Sequence, residues 1–160
     1  MPMTPREISI DLPHIRLAGQ RWGDGEHIVL ALHGWLQAEL ARHPRLALVG
    51  DFNIVSEDRD SHDPVGLAGA ILHTPEERAH FRSLLNLGLQ DAFRLFEQPP
   101  QSFSWWDYRQ LSFQKNRGLR IDHILISAAL VPQARACAID RAPRKWQRPS
   151  DHTPVVLTLE

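Results

Sequence analysis

The sequence predicts an α/β or α+β layer structure, in which strands and helices alternate loosely along the chain. Two observations carry this prediction. Short apolar runs recur between turn-forming residues, as expected of buried strands. One later segment begins with a helix-capping signature and continues with apolar residues at helical spacing. The chain contains neither an internal repeat nor a low-complexity tract.

Residues 6–33 are predicted to form β structure. Residues 7–12 alternate polar and apolar side chains, and residues 14–22 can form the partner strand. Residues 23–25, with the sequence Gly-Asp-Gly, are a tight-turn signal. Residues 27–33 are mostly apolar, which is typical of a strand in the interior of a sheet.

A helix is predicted to start at Thr74 and to end at Gly88. Thr74 is the N-cap, Pro75 takes the first helical position, and Glu77 completes a capping box. The apolar face of this helix consists of Phe81, Leu84 and Leu85. The other predicted elements are a short helix over 38–43, strands over 46–50, 120–127 and 154–159, and a loop over 99–104.

Composition favours one soluble domain of 160 residues. The net charge is −1 and the pI about 6.8, so any contact with nucleic acid must come from a local patch. Cys137 is the one cysteine, which excludes an internal disulfide and suits a reducing compartment. No apolar run approaches the ~20 residues that cross a bilayer, and no signal pattern opens the chain. We therefore expect a cytoplasmic protein without membrane partners.

Asp51 and Asn53 follow directly on an apolar run at residues 46–49 and Gly50. Residues two apart on a strand point to the same face, so a carboxylate and a carboxamide would lie side by side. This pair suits a hard cation and a phosphate group. The alternative is a turn at the end of the strand, where Asp and Asn are also common.

Two further acidic positions accompany the first pair. Asp151 and His152 lie in the segment 149–154, and Asp122 interrupts an otherwise apolar strand, where an unpaired carboxylate would be costly. The alternatives are a turn at Asp151 with a surface histidine, and a strand residue at Asp122 that faces solvent. His123 would point away from Asp122 and is predicted to be structural.

These three stretches, in this order, resemble the exonuclease III family of the endonuclease/exonuclease/phosphatase superfamily. The resemblance covers about residues 37–160 and corresponds only to the second half of that family's domain. It implies a partial endonuclease/exonuclease/phosphatase-type sandwich, with a mixed sheet and flanking helices, in a half-domain over 37–160. Further stretches that match the family are 57–64, 77–78, 88–94 and 104–109.

The resemblance implies a Mg²⁺-dependent DNA phosphodiesterase of DNA repair, with Mn²⁺ as a substitute ion. Its substrate would be double-stranded DNA, cut at abasic sites or shortened from 3′ ends. Asp51 would orient or deprotonate the attacking water, Asn53 would bind the scissile phosphate, and Asp122 would orient His152. The metal ligands that the resemblance implies are Asp51, Asn53, Asp151 and His152.

The DNA-binding residues implied by the resemblance are Trp105, Arg109, Arg120 and His152. The alternative for Trp105 and its neighbour Trp106 is core packing, the usual role of tryptophan. The alternative for the arginines is a solvated surface. A second basic patch with the same alternative consists of Arg141, Arg144, Lys145 and Arg148.

Residues 1–36 resemble the first strands of an α/β-hydrolase, and 32–35 match the loop that helps to build that family's oxyanion hole. An esterase is nevertheless the weakest hypothesis, because the chain has no Gly-x-Ser-x-Gly turn and therefore no nucleophile in the required frame. The nuclease family's metal-binding Glu and phosphate-binding Tyr also have no match here. The alternative function is therefore a non-catalytic remnant with at most weak DNA binding, and an exposed apolar sheet face that favours oligomers.

Overall fold

The structure is a computed structural model that describes residues 6–12, 15–21 and 28–160, with side chains described from Leu32 onward. The chain divides into two compact units, Met1–His43 and Pro44–Glu160. The turn predicted at 23–25 lies outside the described residues.

The first unit contains a hairpin and a helix. Strand β1 (Arg6–Leu12) pairs with strand β2 (Ile15–Arg21) in an antiparallel register. These two strands confirm the β structure predicted for residues 7–12 and, within the described residues, for 14–22.

Helix α1 (Ile28–Arg42) replaces the third predicted strand, so the strand predicted over 27–33 is wrong. A short apolar run fits a buried helix as well as a strand, and periodicity alone does not separate them. Here the run continues into helix-forming Ala, Leu and Glu residues, and the longer cooperative helix prevails. The helix predicted over 38–43 is therefore correct in type but much too short. Residues 32–35, predicted to form a loop of the hydrolase type, lie inside α1.

The second unit contains two small antiparallel sheets and one regular helix. The first sheet has the strand order β3-β5-β4, and the second pairs β6 with β7. With the flanking helices, these sheets confirm the predicted α/β (α+β) class. All strand pairs among the described residues are antiparallel, so the sheet is not mixed as expected. The elements are β3 (Ala47–Asp51), α2 (Pro75–Leu85), β4 (Leu89–Asp91), β5 (Asp122–Ser127), β6 (Ala134–Ile139) and β7 (Val155–Leu159).

Helix α2 begins with the predicted capping box. The Thr74 hydroxyl accepts a hydrogen bond from the Glu77 backbone N–H at 3.2 Å, and the Glu77 carboxylate accepts one from the Thr74 N–H at 2.9 Å. Phe81 and Leu84 are buried, as predicted for the apolar face. Gly88 has φ +94°, a backbone conformation that glycine adopts without strain, and leads the chain into β4.

The core of the second unit lies on both faces of β5, which is paired on both sides. Because β5 is buried along almost its whole length, Asp122 at its first position is held in place. One cluster of buried apolar residues contains Ala92, Phe93, Ile124, Ile126, Leu130 and Cys137, and another contains Val55, Leu119 and Ile121.

A buried ionic network joins separate segments of this unit. Arg120 donates to the Asp60 carboxylate at 2.7 and 3.0 Å and to the Asp91 carboxylate at 2.7 Å, and Arg94 also binds Asp60. Burial raises the pKa of Asp60, but the hydrogen bonds and charge of Arg120 outweigh it, so that the pKa lies below its usual range. Each buried charge is thereby paired, which avoids the strong destabilisation that an unpaired buried charge would cause.

Strand β3 lies at an edge of its sheet and is mostly exposed. Only Leu48 among its five residues is half-buried, and Val49 is 55% exposed. Asp51 therefore ends a strand that is fixed on one side only.

None of the described helices is long and apolar enough to cross a membrane.

Candidate active site

Three potential metal ligands meet at one end of the first sheet. Asp51, Asp122 and His152 each offer one ligand atom, and these atoms lie within 4.8 Å of one another. The antiparallel register places Asp51, at the end of β3, opposite Asp122, at the start of β5. His152 precedes β7 and is paired with Trp105 through an isolated β-bridge.

His152 is held by Asp122. Its Nδ1 lies 3.0 and 3.1 Å from the two oxygens of the Asp122 carboxylate. An ionised carboxylate only accepts hydrogen bonds, so Nδ1 carries the hydrogen and donates it. In the neutral ring, Nε2 is then the acceptor. This is the geometry expected of a carboxylate that orients a histidine.

Asp51 lies on the other side of the His152 ring. Its Oδ2 is 3.8 Å from His152 Nε2. Asn53 donates its backbone N–H to Asp51 Oδ1 at 2.9 Å and its side-chain amide to Oδ2 at 3.1 Å. Asn53 has φ +52°, a left-handed conformation that asparagine tolerates. The amide predicted to bind a phosphate therefore orients Asp51 in this structure.

The donor set fits a hydrated divalent cation. A carboxylate oxygen and a neutral ring nitrogen are both acceptors, and a cation or a proton between Asp51 and His152 would satisfy both. Both carboxylates of the cluster already accept hydrogen bonds, Asp122 from His152 and Asp51 from Asn53, but Asp51 is the more exposed of the two, at 34% against 20%. Mg²⁺ is commonly held by one or two carboxylates while keeping several waters. Asp151, a predicted ligand, lies outside the cluster that the described residues form.

Asp151 is instead bound to Trp105. The Trp105 indole N–H donates to Asp151 Oδ2 at 3.0 Å, and the Trp106 backbone N–H donates to the Asp151 carbonyl at 3.0 Å. Burial raises the pKa of Asp151, but the Trp105 hydrogen bond and further contacts outweigh it and hold the pKa below its usual range. Trp105, predicted to contact DNA, is half-buried, and its indole N–H is taken up by the bond to Asp151. Trp106 is fully buried, which is the core-packing alternative.

Ser104 is a site-forming residue that the sequence analysis missed. Its buried hydroxyl accepts from the backbone N–H groups of Ile121 and Asp122, each at 3.1 Å. Its carbonyl accepts from the Thr153 N–H at 2.8 Å. Ser104 thus fixes the chain at Asp122 and next to His152. The available signals were a small hydroxyl residue inside the aromatic run 103–106 and its place at the start of the stretch 104–109 that resembles the family.

The prediction that Arg120 contacts DNA is wrong. Its side chain is 1% exposed, and its guanidinium binds Asp60 and Asp91 in the core. Arg144 of the second basic patch is also buried, whereas Arg141, Lys145 and Arg148 are exposed. Arg109 is 87% exposed and lies 3.5 Å from the Asp107 carboxylate, so it remains available at the surface.

Comparison with known proteins agrees with this geometry. Residues 7–152 match the family described as the endonuclease/exonuclease/phosphatase family, a match that runs across the boundary predicted between 36 and 37. Exodeoxyribonuclease III of Haemophilus influenzae is 36% identical over 78% of this chain and 49% of its own length. The DNA repair nuclease APEX1 of Danio rerio is 36% identical over 74% of this chain and 37% of its own length.

A solved structure of the 3′ phosphatase NExo from Neisseria, bound to a product DNA hairpin, is similar to this fold. The TM-score is 0.85 at 34% identity, over 97% of this chain and 65% of the other. The chain spans about half the length or less of the curated relatives named above. Because the family match takes in most of its residues, the chain belongs to the endonuclease/exonuclease/phosphatase family.

Proposed function

We propose that this chain is a divalent-metal-dependent DNA phosphodiesterase of the exodeoxyribonuclease III type, active in DNA repair. The observation that carries the proposal is the array in which Asp122 orients His152 toward Asp51. The names of two relatives, an exodeoxyribonuclease III and a DNA repair nuclease, support DNA as the substrate.

His152 and Asp51 would have separate roles toward the phosphate and the attacking water. Because Asp122 holds the Nδ1–H, the Nε2 atom of His152 is directed into the site, where it can exchange a proton or contact a phosphate oxygen. Asp51, oriented by Asn53, would align or deprotonate the attacking water. The Asn53 amide can also turn from Asp51 to a bound phosphate.

A metal ion would be held mainly by Asp51, with His152 and the Asn53 carboxamide beside it. We propose Mg²⁺, with Mn²⁺ as a substitute. A bound ion would neutralise charge on the phosphoryl oxygens and stabilise the leaving oxygen. Since both carboxylates of the cluster already accept hydrogen bonds, we expect weak binding of the ion in the absence of substrate.

The substrates we propose are double-stranded DNA with an abasic site or with a 3′ end. The Neisseria neighbour is named a 3′ phosphatase, which adds a 3′-terminal phosphate to the candidates. The residues of the proposed site all lie in the unit Pro44–Glu160, which supports 37–160 as the active segment. The hydrolase-like origin of residues 1–36 and the cytoplasmic location remain predictions.

The second candidate function is a non-catalytic domain that retains the site geometry. It is favoured by the small set of ligands, two carboxylates and one histidine among the described residues, since a weakly held ion would leave turnover low. Such a domain would bind DNA weakly and cut nothing.

The test is cleavage of labelled duplexes, one with an abasic site and one with a recessed 3′ end, by the purified chain with Mg²⁺ or with EDTA. We expect cleavage that requires the metal and is lost in Asp51→Asn. Asp58→Asn is the matched control, because its carboxylate is 74% exposed and lies outside the cluster. No cutting by the wild-type chain would favour the second candidate, and cutting that survives Asp51→Asn would contradict the proposed site.

A further inference from the structure

Two loops beside the candidate site present aromatic rings and cations to solvent. Tyr108 is 63% exposed on the first loop, and Trp146 is 67% exposed on the second. Arg109 extends from the first loop, and Lys145 and Arg148 flank Trp146 on the second. We refer to residues 108–109 and 145–148 as the two-loop surface.

The two loops are fixed to each other. The Tyr108 hydroxyl donates to the Pro149 carbonyl at 3.0 Å. The buried Arg144 donates to the carbonyls of Ser150 and Trp106. Its guanidinium also lies 5.4 Å from the centre of the Tyr108 ring, within range of a cation–π contact. The Tyr108 ring is therefore held in place, and the loop that carries Trp146 is tied to it through Arg144 and Pro149.

The same two loops lead directly from the candidate site. Trp105 is bridged to His152, and the Trp106 N–H binds the Asp151 carbonyl. One step further out, Tyr108 binds Pro149. Successive contacts thus link His152 to the two-loop surface, so a polymer bound at His152 has this surface as its neighbour.

The chemistry of the surface suits unpaired nucleotides. Each base has an apolar face that stacks on Trp or Tyr, while the backbone carries phosphates that bind Lys and Arg. The segment 145–148, Lys-Trp-Gln-Arg, contains no acid. A continuous duplex keeps its base faces stacked on one another and cannot offer them to these rings.

We infer that the two-loop surface binds single-stranded DNA adjoining the scissile phosphate, with Trp146 and Tyr108 stacking on bases and Lys145 and Arg148 contacting phosphates. The identity of the polymer as DNA rests on the proposed function. The surface would give the chain a preference for overhangs and frayed ends over blunt duplex.

The test is fluorescence anisotropy of a labelled single strand and of the blunt duplex with the same sequence, in EDTA so that nothing is cleaved. Trp146→Ala should weaken binding of the single strand by about 5- to 150-fold, the range for loss of one stacked base. Trp146→Phe should retain binding within about threefold, because it keeps a ring. Val65→Ala, at an apolar residue that is 86% exposed, is the control and should change nothing.

Salt dependence separates the two kinds of contact. Lys145→Ala should lower the slope of log K against log salt by about 0.7, the value for one phosphate contact of a single strand. Trp146→Ala should leave this slope unchanged. Binding by Trp146→Ala equal to wild type, or equal losses in Val65→Ala, would overturn the inference. So would a loss as large for blunt duplex as for single strand.

Failure of this inference is distinguishable from failure of the proposed function. Binding in EDTA does not require turnover, so a chain that cuts nothing can still show the Trp146-dependent preference. Conversely, Mg²⁺-dependent cleavage by a chain whose Trp146→Ala variant binds normally would overturn only the inference.

Discussion

The two sides of the candidate site differ in how deeply their residues are buried and how many hydrogen bonds fix them. On the side of His152, Ser104 is fully buried, Asp122 is 20% exposed, and hydrogen bonds to backbone and side chains fix each group. On the side of Asp51, the carboxylate ends an exposed edge strand and is oriented by Asn53, its neighbour two residues along the chain.

This difference shows which part of the chemistry the second unit prepares by itself. Catalytic groups must be held within about 0.5 Å of their productive positions by supporting contacts. The His152 side has such support among the described residues. The Asp51 side has one paired neighbouring strand and one asparagine, so a bound ion or substrate would have to complete its ordering.

The largest expected effect is on catalysis, from Asp122→Asn. The amide would offer a donor to Nδ1 and favour the wrong tautomer of His152. We expect kcat to fall by about 10²- to 10⁴-fold with little change in melting temperature. Activity within about threefold of wild type would show that Asp122 does not orient His152.

Breaking the buried ionic network should have the next largest effect. Asp60→Asn leaves Arg120 and Arg94 without their shared partner, and we expect a loss of about 3–5 kcal/mol in urea unfolding. Asp58→Asn, at an exposed pair, should cost less than about 1 kcal/mol. Since the folded pKa of Asp60 is lowered, its stabilisation is present above the unfolded value near 3.8 and is lost as pH falls through the folded value.

Stability should also depend on pH through His123. Burial, followed by the Arg120 charge, lowers the pKa of this histidine from 6.5 to about 4. Between pH 6.5 and about 4, His123 is protonated in the unfolded chain but not in the folded chain, so the free energy of unfolding falls as pH drops through this range. We expect a loss of roughly 3 kcal/mol across this range. His123→Gln should flatten the dependence, with exposed His80→Gln as control, and an unchanged slope in His123→Gln would contradict the assignment.

A smaller effect is expected from Ser104→Ala. The change leaves the N–H groups of Ile121 and Asp122 without their acceptor, which costs about 1–3 kcal/mol of stability. Because the same bonds position Asp122, kcat should fall as well. Ser83→Ala, at a half-buried position of α2 where the hydroxyl donates to the His80 carbonyl of its own helix, is the matched control. A variant with normal stability would show that Ser104 is not a support of the site.

The smallest effect should come from the exposed strand. Val49→Thr keeps a β-branched residue at a position that is 55% exposed, and we expect a change within about 0.5 kcal/mol. If the open face of β3 drives self-association, the variant should reduce it in sedimentation experiments. A large loss of stability would show that Val49 is covered in solution.

The site residues with local signals could be predicted from the sequence. Asp51 and Asn53 follow an apolar run and α2 starts at a capping box; neighbouring residues were sufficient for α2, whereas the Asp51/Asn53 pair also needed the downstream motifs. The structure brings Asp51, Asp122 and His152 together as the sequence patterns indicated, whereas Asp151 turns to Trp105.

The errors arose where distant residues decide the outcome. Arginine is mostly found at the surface, so the sequence favoured an exposed Arg120. Its partners Asp60 and Asp91, which hold it in the core, are 60 and 29 positions away in the chain. Ser104 is likewise defined by contacts 17 and 18 positions away. The strand predicted over 27–33 failed for a different reason, because an apolar run without polar alternation is ambiguous between helix and strand.

The most direct test of the site is a Mn²⁺ titration of the isotopically labelled chain, followed by NMR. A paramagnetic ion broadens the resonances of nearby nuclei, so the position of binding is read without any turnover. We predict that the His152 ring and the Asn53 side-chain amide broaden first, and that Asp51→Asn abolishes this effect. Broadening centred elsewhere, or unchanged in Asp51→Asn, would contradict a metal site held mainly by Asp51 with His152 and Asn53 beside it.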